Sequence, residues 1–357
     1  MGMGDAPSTR MKVIGLFAVL AMAAVGCGDG EGSGGGNGGD DAASAAVRFQ
    51  ASWIPDCQFA GYLMARERGI YSDHDLNVEI LPGGPNVNPV QQVVSGAADV
   101  TVNKVIALYA ARAEGLPVTA IAQFDRVSSF PLVAFTDAGV ETPEDLAGKE
   151  VGIWYDGDEY EVLALLDEAG LDPDTDVTLF EQGFTMDPFL NREYDVAMVT
   201  SFNELNVLRL AGVDPDTELS IIDPSEYGIS IPHGTVIANE EWVGGNPDVA
   251  ARFVGATIEG WRYAFDNKEE TAGVCAENAL AAGGEAATEN LAELQTLILD
   301  DMERLHFEGI PAEEHGQIDP ELYENVANIA FEYGLLETEA DVEAGYDASI
   351  WESAVAD

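Results

Sequence analysis

Two rhythms of apolar and polar positions alternate from residue 46 onward. Short apolar runs of strand length recur at 46–52, 77–81, 99–102, 118–123 and 132–135. Between them lie stretches with helical spacing at 59–67, from Asn88-Pro89 to Ser95-Gly96, and at 105–114. Asn is a good N-cap and Pro suits a first helical turn, so Asn88-Pro89 marks a helix start. A second series opens with the capped turn Thr142-Pro143-Glu144-Asp145-Leu146. It predicts strands at 151–154, 177–180, 196–199, 220–222 and 234–238, with helices at 160–169 and from Asp187-Pro188. Beyond Asn246-Pro247 the spacing is helical at 247–266, 269–283, 286–305 and 319–334. Strands alternating with helices predict an α/β protein built on a parallel sheet with crossover helices.

The first 46 residues follow neither rhythm. Arg10 and Lys12 precede residues 13–26, an uncharged run of fourteen. That is too short for a stable bilayer-spanning helix and fits the apolar core of a secretion signal. It ends Ala24-Val25-Gly26-Cys27 and passes into a Gly- and Asp-rich stretch. The pattern resembles a bacterial lipoprotein signal: residues 1–26 as signal peptide, Cys27 as the lipidated first residue, and 27–46 as a disordered tether. An ordinary secretory signal beside a chance cysteine is the plainer alternative.

Charge narrows the partners. The chain holds 65 acidic and 15 basic residues, a formal net charge of −50. Such a field repels nucleic acid and anionic headgroups, which excludes nucleic-acid binding and leaves the lipid anchor as the expected membrane contact. Acids spread along the whole chain also suit life in high salt, where screening relieves self-repulsion. The 311 residues from 47 onward suffice for two α/β lobes in a monomer. Cys57 and Cys275 either pair in an oxidising compartment or remain thiols, since spacing alone places neither. No CxxC pair or Cys/His spacing for zinc occurs, so no metal is implied. A G-x-S-x-G elbow and a phosphate-cradling loop are also missing. His233, in a loop after a proline, reads as exposed. Ser128-Ser129 and the acid pairs Asp156/Asp158 and Glu240/Glu241 read as solvated surface.

An ordered run of motifs carries more. Trp53-Ile54-Pro55, Gly61-Tyr62, Arg68-Gly69-Ile70-Tyr71 and Leu76–Ile80 are followed by Ser95–Val100, Gly115-Leu116-Pro117-Val118, Thr142–Lys149 and Val151-Gly152-Ile153. This succession, over about residues 47–265, resembles the family joining ABC-transporter receptors for sulfonates and thiamine-pyrimidine precursors with the thiamine pyrimidine synthase. The resemblance implies a two-lobed periplasmic-binding-protein-like fold of type II with a hinged cleft and extra C-terminal helices. Lobe 1 is then expected at 47–138 and 236–357, and lobe 2 at 139–235. Ligand is expected between them at the carboxyl ends of strands, with closure about the hinge. The synthase branch carries a lysine and a histidine four residues apart after its Gly-x-x-Asp strand. Counted from Asp99, those places hold Asn103 and Ala107 here, with Lys104 one position away. The synthase's cysteine-rich stretch has no counterpart in 227–233.

Aromatic residues recur where strands end: Trp53, Phe59, Phe124, Trp154, Tyr155, Phe184, Phe202 and Tyr227. Gln58, Asn103, Asp125, Asn203 and Glu204 stand among them. Flat apolar faces with a few aimed polar groups suit a planar heteroaromatic ligand. The candidate ligand residues are therefore Trp53, Gln58, Phe59, Asn103, Asp125, Trp154, Tyr155, Phe184, Asn203, Glu204 and Tyr227. Few cations lie near this cleft, only Lys104 and Arg126, which disfavours a free anion. The expected function is a lipid-anchored receptor delivering a small heteroaromatic nutrient to an ABC permease, with no covalent chemistry, cofactor or metal. A pyrimidine synthase, an anion receptor of the same fold and a sensory ligand-binding module are the competing readings.

Overall fold

The computed structural model describes residues 44–155, 157–283 and 290–356. The signal, Cys27 and tether residues up to 43 lie outside the described residues, as does Asp156; Ala45 and Ala46, placed in the tether by sequence, instead begin the first strand. The described residues form two five-stranded sheets. The first has the order β2-β1-β3-β10-β4, with β1 at Ala45–Gln50, β2 at Leu76–Leu81, β3 at Val100–Asn103, β4 at Val118–Gln123 and β10 at Thr235–Asn239. The second has the order β7-β6-β8-β5-β9, with β5 at Leu132–Phe135, β6 at Glu150–Ile153, β7 at Thr178–Glu181, β8 at Val196–Met198 and β9 at Leu219–Ile222.

Each sheet is mixed, where the rhythm of the sequence predicts a parallel one. β1 pairs in parallel with β2 and β3, but β10 runs antiparallel to β3 and β4. β6 pairs in parallel with β7 and β8, but β5 runs antiparallel to β8 and β9. The reason is the path of the chain. It crosses between sheets twice, at 124–131 and 223–234, and the first strand after each crossing enters its sheet from the crossing side. That strand therefore opposes its neighbours. The same fact corrects a boundary: Leu132–Phe135, grouped by sequence with lobe 1, is a strand of the second sheet.

The first sheet buries Val47, Phe49, Val100 and Ile121 against helices Ala60–Glu67 and Pro247–Asp266. Leu132, Ile153 and Ile222 of the second sheet share a core with Val162 and Leu165 of helix Glu159–Glu168, and helix Pro320–Glu332 lies against both that helix and helix Val105–Ala113. The C-terminal helices thus reach both halves. Cys57 and Cys275 form a disulfide with Cα atoms 5.1 Å apart, which settles what spacing left open. It pins the turn after β1, and so the loop bearing Trp53, to helix Lys268–Ala281. The Cys57 N–H also donates to Gln295 Oε1 at 2.8 Å, fixing that turn to helix Leu291–Phe307.

Candidate ligand-binding cleft

The loops at the carboxyl ends of β1, β3, β6, β7 and β8 meet the two crossing segments, and two different environments result. One is an aromatic lip. Trp53, after β1, and Phe184, after β7, face each other across the sheets with ring centroids 5.2 Å apart. Phe184 is 61% exposed, so its ring is held over the opening instead of in a core. Tyr155 and Tyr227 are also exposed. Trp154 is half-buried; its indole N–H donates to the Gly183 carbonyl at 3.3 Å, tying the β6 loop to the β7 loop beside Phe184. Its edge meets Phe130 of the first crossing.

The other environment is a buried polar seat. Lys104, after β3, places Nζ 2.6 Å from Asp158 Oδ1, after β6. His233, of the second crossing, places Nε2 3.4 Å from the same oxygen. Both side chains of the ion pair are about nine-tenths buried. Phe130 stacks on the His233 ring at 4.2 Å and lies 5.8 Å from Lys104 Nζ. Burial pushes the Asp158 carboxyl up, but Lys104 and His233 outweigh it and hold it below the usual carboxylate range. Burial, helped by the Lys104 charge, pulls His233 down against the opposing pull of Asp158. Gly157 lets the β6 turn come this close. Its φ is +107°, and a Cβ there would meet Ile106 at 3.0 Å.

Beneath the seat, Glu161 is fully buried and joins both crossings. Ser128 Oγ donates to it at 2.7 Å, and the Ile231 N–H donates at 2.5 Å. Burial pushes its carboxyl up to about 8 against those hydrogen bonds. Ser129, of the first crossing, is 1% exposed and its hydroxyl has no partner. Its carbonyl accepts from the Ser201 N–H at 2.8 Å, and the Ser201 and Ser230 hydroxyls are likewise buried without partners. Three unengaged hydroxyls on the crossings and the β8 loop are ready hydrogen-bonding groups for a polar solute. Asn103 lines a cavity of about 280 Å³ between helices 89–94, 105–113 and 159–168, with Asn88, Ile106 and Gly157 among its walls.

The remaining sequence candidates fall less simply. Phe59 is 2% exposed within the first core, so it is corrected from cleft residue to core residue: its 3-10 turn is pinned inward by the disulfide beside it. Asp125 is also turned away. Its Oδ1 lies 2.6 Å from His306 Nε2, with both side chains buried, under helix Leu291–Phe307. Gly234 explains the fit, since a Cβ there would lie 2.6 Å from the Asp125 nitrogen. Glu204 accepts from the Thr200 N–H at 3.0 Å, from the Thr200 hydroxyl, and from Asn203 Nδ2 at 2.8 Å, so it caps its own turn. Asp56 faces it from lobe 1. Burial pushes the Asp56 carboxyl up to about 6, opposed by the Gln58 N–H, with the Glu204 charge adding to the rise. Gln58 itself is half-buried. Phe124 and Phe202 are core residues.

Sequence reasoning passed over Asp158, His233, Ser128 and Ser129 as solvated or exposed. All are instead buried or partly buried at the junction of the crossings. The available signal was position: each lies directly after a strand or inside a crossing. Among the described residues, no cluster of three or more His, Cys, Asp or Glu could hold a metal ion, and no helix is long and apolar enough to cross a membrane.

A family model described as NMT1/THI5 like matches residues 56–271. The chain belongs to this family. Among similar proteins is the formylaminopyrimidine-binding protein of Halalkalibacterium halodurans, 26% identical over 74% of this chain and 80% of that protein. The riboflavin-binding protein RibY of Chloroflexus aurantiacus is 27% identical over 63% of this chain and 64% of its own length. A 4-amino-5-hydroxymethyl-2-methylpyrimidine phosphate synthase of Legionella pneumophila is 29% identical over 34% of this chain and 39% of that one. The fold is that of periplasmic binding proteins. The aliphatic sulphonate binding protein SsuA of Escherichia coli superposes with a TM-score of 0.67 at 13% identity, covering 85% of this chain and 92% of that chain. Fold and binding-protein relatives together support a solute-binding role for this NMT1/THI5-like chain.

Proposed function

We propose that this protein is the solute-binding lipoprotein of an ABC importer and captures a small heteroaromatic nutrient, a thiamine-pyrimidine precursor or a flavin-like ring. The observation that carries the reading is the Trp53–Phe184 pair. It brings an aromatic face from each half of the molecule to one opening, with the Phe184 ring mostly in solvent. A planar ring entering as the halves open would part this pair and gain stacking on both faces when they close again. The unengaged hydroxyls of Ser129, Ser201 and Ser230 supply donors and acceptors for ring nitrogens and substituents. The relatives named as formylaminopyrimidine- and riboflavin-binding support the same ligand class. Cys27 is the lipid anchor in this reading, and the tether confines the receptor near its permease, which raises its effective concentration there.

The protein acts by binding and release, without covalent chemistry. The lysine nearest the synthase position, Lys104, is joined to Asp158, and the histidine four residues from that position is absent: Ala107 and Leu108 stand there. Thermal shift against hydroxymethylpyrimidine, formylaminopyrimidine, riboflavin, taurine and nitrate tests the ligand class. A bound ring at a hundredfold excess over Kd should add about 2.7 kcal/mol of stability. Stabilisation by taurine or nitrate alone would refute it. Release of Cys27→Ala from membranes with ligand binding intact tests the anchor.

A further inference from the structure

The buried seat holds a cationic group and a ring N–H donor aimed at one oxygen, and that oxygen is the protein's own. Lys104 comes from the first sheet, His233 from the second crossing, and both converge on Asp158 Oδ1 at 2.6 and 3.4 Å. Convergent donors drawn from different elements, walled by the Phe130 ring, are the chemistry with which a cleft of this kind would take a free anion. Asp158 reaches them only because Gly157 permits a left-handed turn against Ile106 and Lys104. We infer that Asp158 is a built-in anion, seated where an anionic solute would otherwise bind, and that it is the residue setting the cleft's selectivity against sulfonates, phosphates and nitrate.

The physical logic is one of competition. A tethered carboxylate has an effective concentration far above that of any free anion at ordinary levels. A free anion must therefore displace Asp158 and leave it buried beside a second negative charge, which is unfavourable. A neutral ring meets no such penalty, because the cationic seat is already compensated. The inference deepens the ligand reading given above and rests on it for the location of the cleft.

The test is a gain of binding. Wild type, Asp158→Ser and Asp158→Ala are titrated by calorimetry with methanesulfonate and inorganic phosphate at constant ionic strength, and their folding is followed by circular dichroism. Asp158 makes no capping hydrogen bond to helix Glu159–Glu168; serine there removes the charge and is a residue that helix starts accept. Wild type should show no binding. Either folded variant should bind at least one anion at least tenfold more tightly, and adding Lys104→Ala should abolish the gain. Folded variants that take up neither anion would overturn the assignment. Two variants unable to fold would overturn it as well, because Asp158 would then serve the fold. Binding of riboflavin or pyrimidine is measured separately on wild type. If rings fail to bind while the variants gain anions, the ligand reading falls and this assignment stands; if rings bind and no anion is gained, the reverse holds.

Discussion

Lip and seat, the two environments of the proposed cleft, obey opposite rules. At the lip, the half-buried Trp53 meets the exposed ring of Phe184. At the seat, the buried Lys104 and the partly buried His233 both meet the buried Asp158, and Glu161 below them accepts from both crossings. The difference teaches how the labour divides. An exposed ring such as Phe184 contributes little to folding and is available to a ligand. A buried ion pair contributes to folding only while both partners remain, and its presence decides what the cleft refuses.

The comparison breaks most visibly at Asp158. Removing one partner of a buried pair should cost about 3 kcal/mol, so Asp158→Ala should lower the urea midpoint clearly while the m-value stays constant. An unchanged midpoint would mean that the pair is open to water in solution.

A second effect belongs to Glu161 and shows as a slope. Its folded-state carboxyl sits at about 8, above the unfolded value near 4.5. Between those values the folded chain holds a proton that the unfolded chain has released. The contribution of Glu161 to stability is therefore full below about pH 4.5 and declines as pH rises toward 8. Glu161→Gln removes this dependence. The stability of the variant minus that of wild type should rise between pH 5 and pH 8, and taking the difference cancels the other acids. A flat difference would mean that the carboxylate is ionised in place.

At the lip the effects move from folding to binding. Trp53→Ala or Phe184→Ala should weaken ring binding by about 1 kcal/mol, several-fold in Kd. Phe184→Ala should change folding by no more than about 0.5 kcal/mol, as is usual for exposed sites. A large loss of stability at Phe184 would move it from lip to core. The smallest contrast is with salt. With 65 acidic against 15 basic residues, wild type should melt higher as salt is added, since screening relieves repulsion among exposed acids. The gap between wild type and Asp158→Ala should stay nearly constant, because a buried pair is screened far less.

Much of this molecule was legible in the chain. The strand and helix segments, the capped starts at Asn88-Pro89 and Thr142-Pro143, the family and the two-lobed fold follow from local spacing and ordered motifs. The segments and caps are properties that a dozen neighbouring residues settle among themselves, and the family rests on the order of motifs along the chain. The disulfide was not legible, because 218 positions separate Cys57 from Cys275 and only packed helices bring them together. Nor was the fate of single polar side chains. Asp125 and Asp158 both follow strands in a chain crowded with acids, yet one turns under a helix to His306 and the other meets Lys104 across the cleft. The sequence by itself determined which segments are strands and which are helices, since periodicity and capping are local, and its ordered motifs carried the family resemblance. Only the tertiary structure decided which strands run backward, which aromatics remain at the opening and which carboxylate fills the cationic seat. Those outcomes depend on how two sheets joined by two crossings place distant residues within a few ångströms.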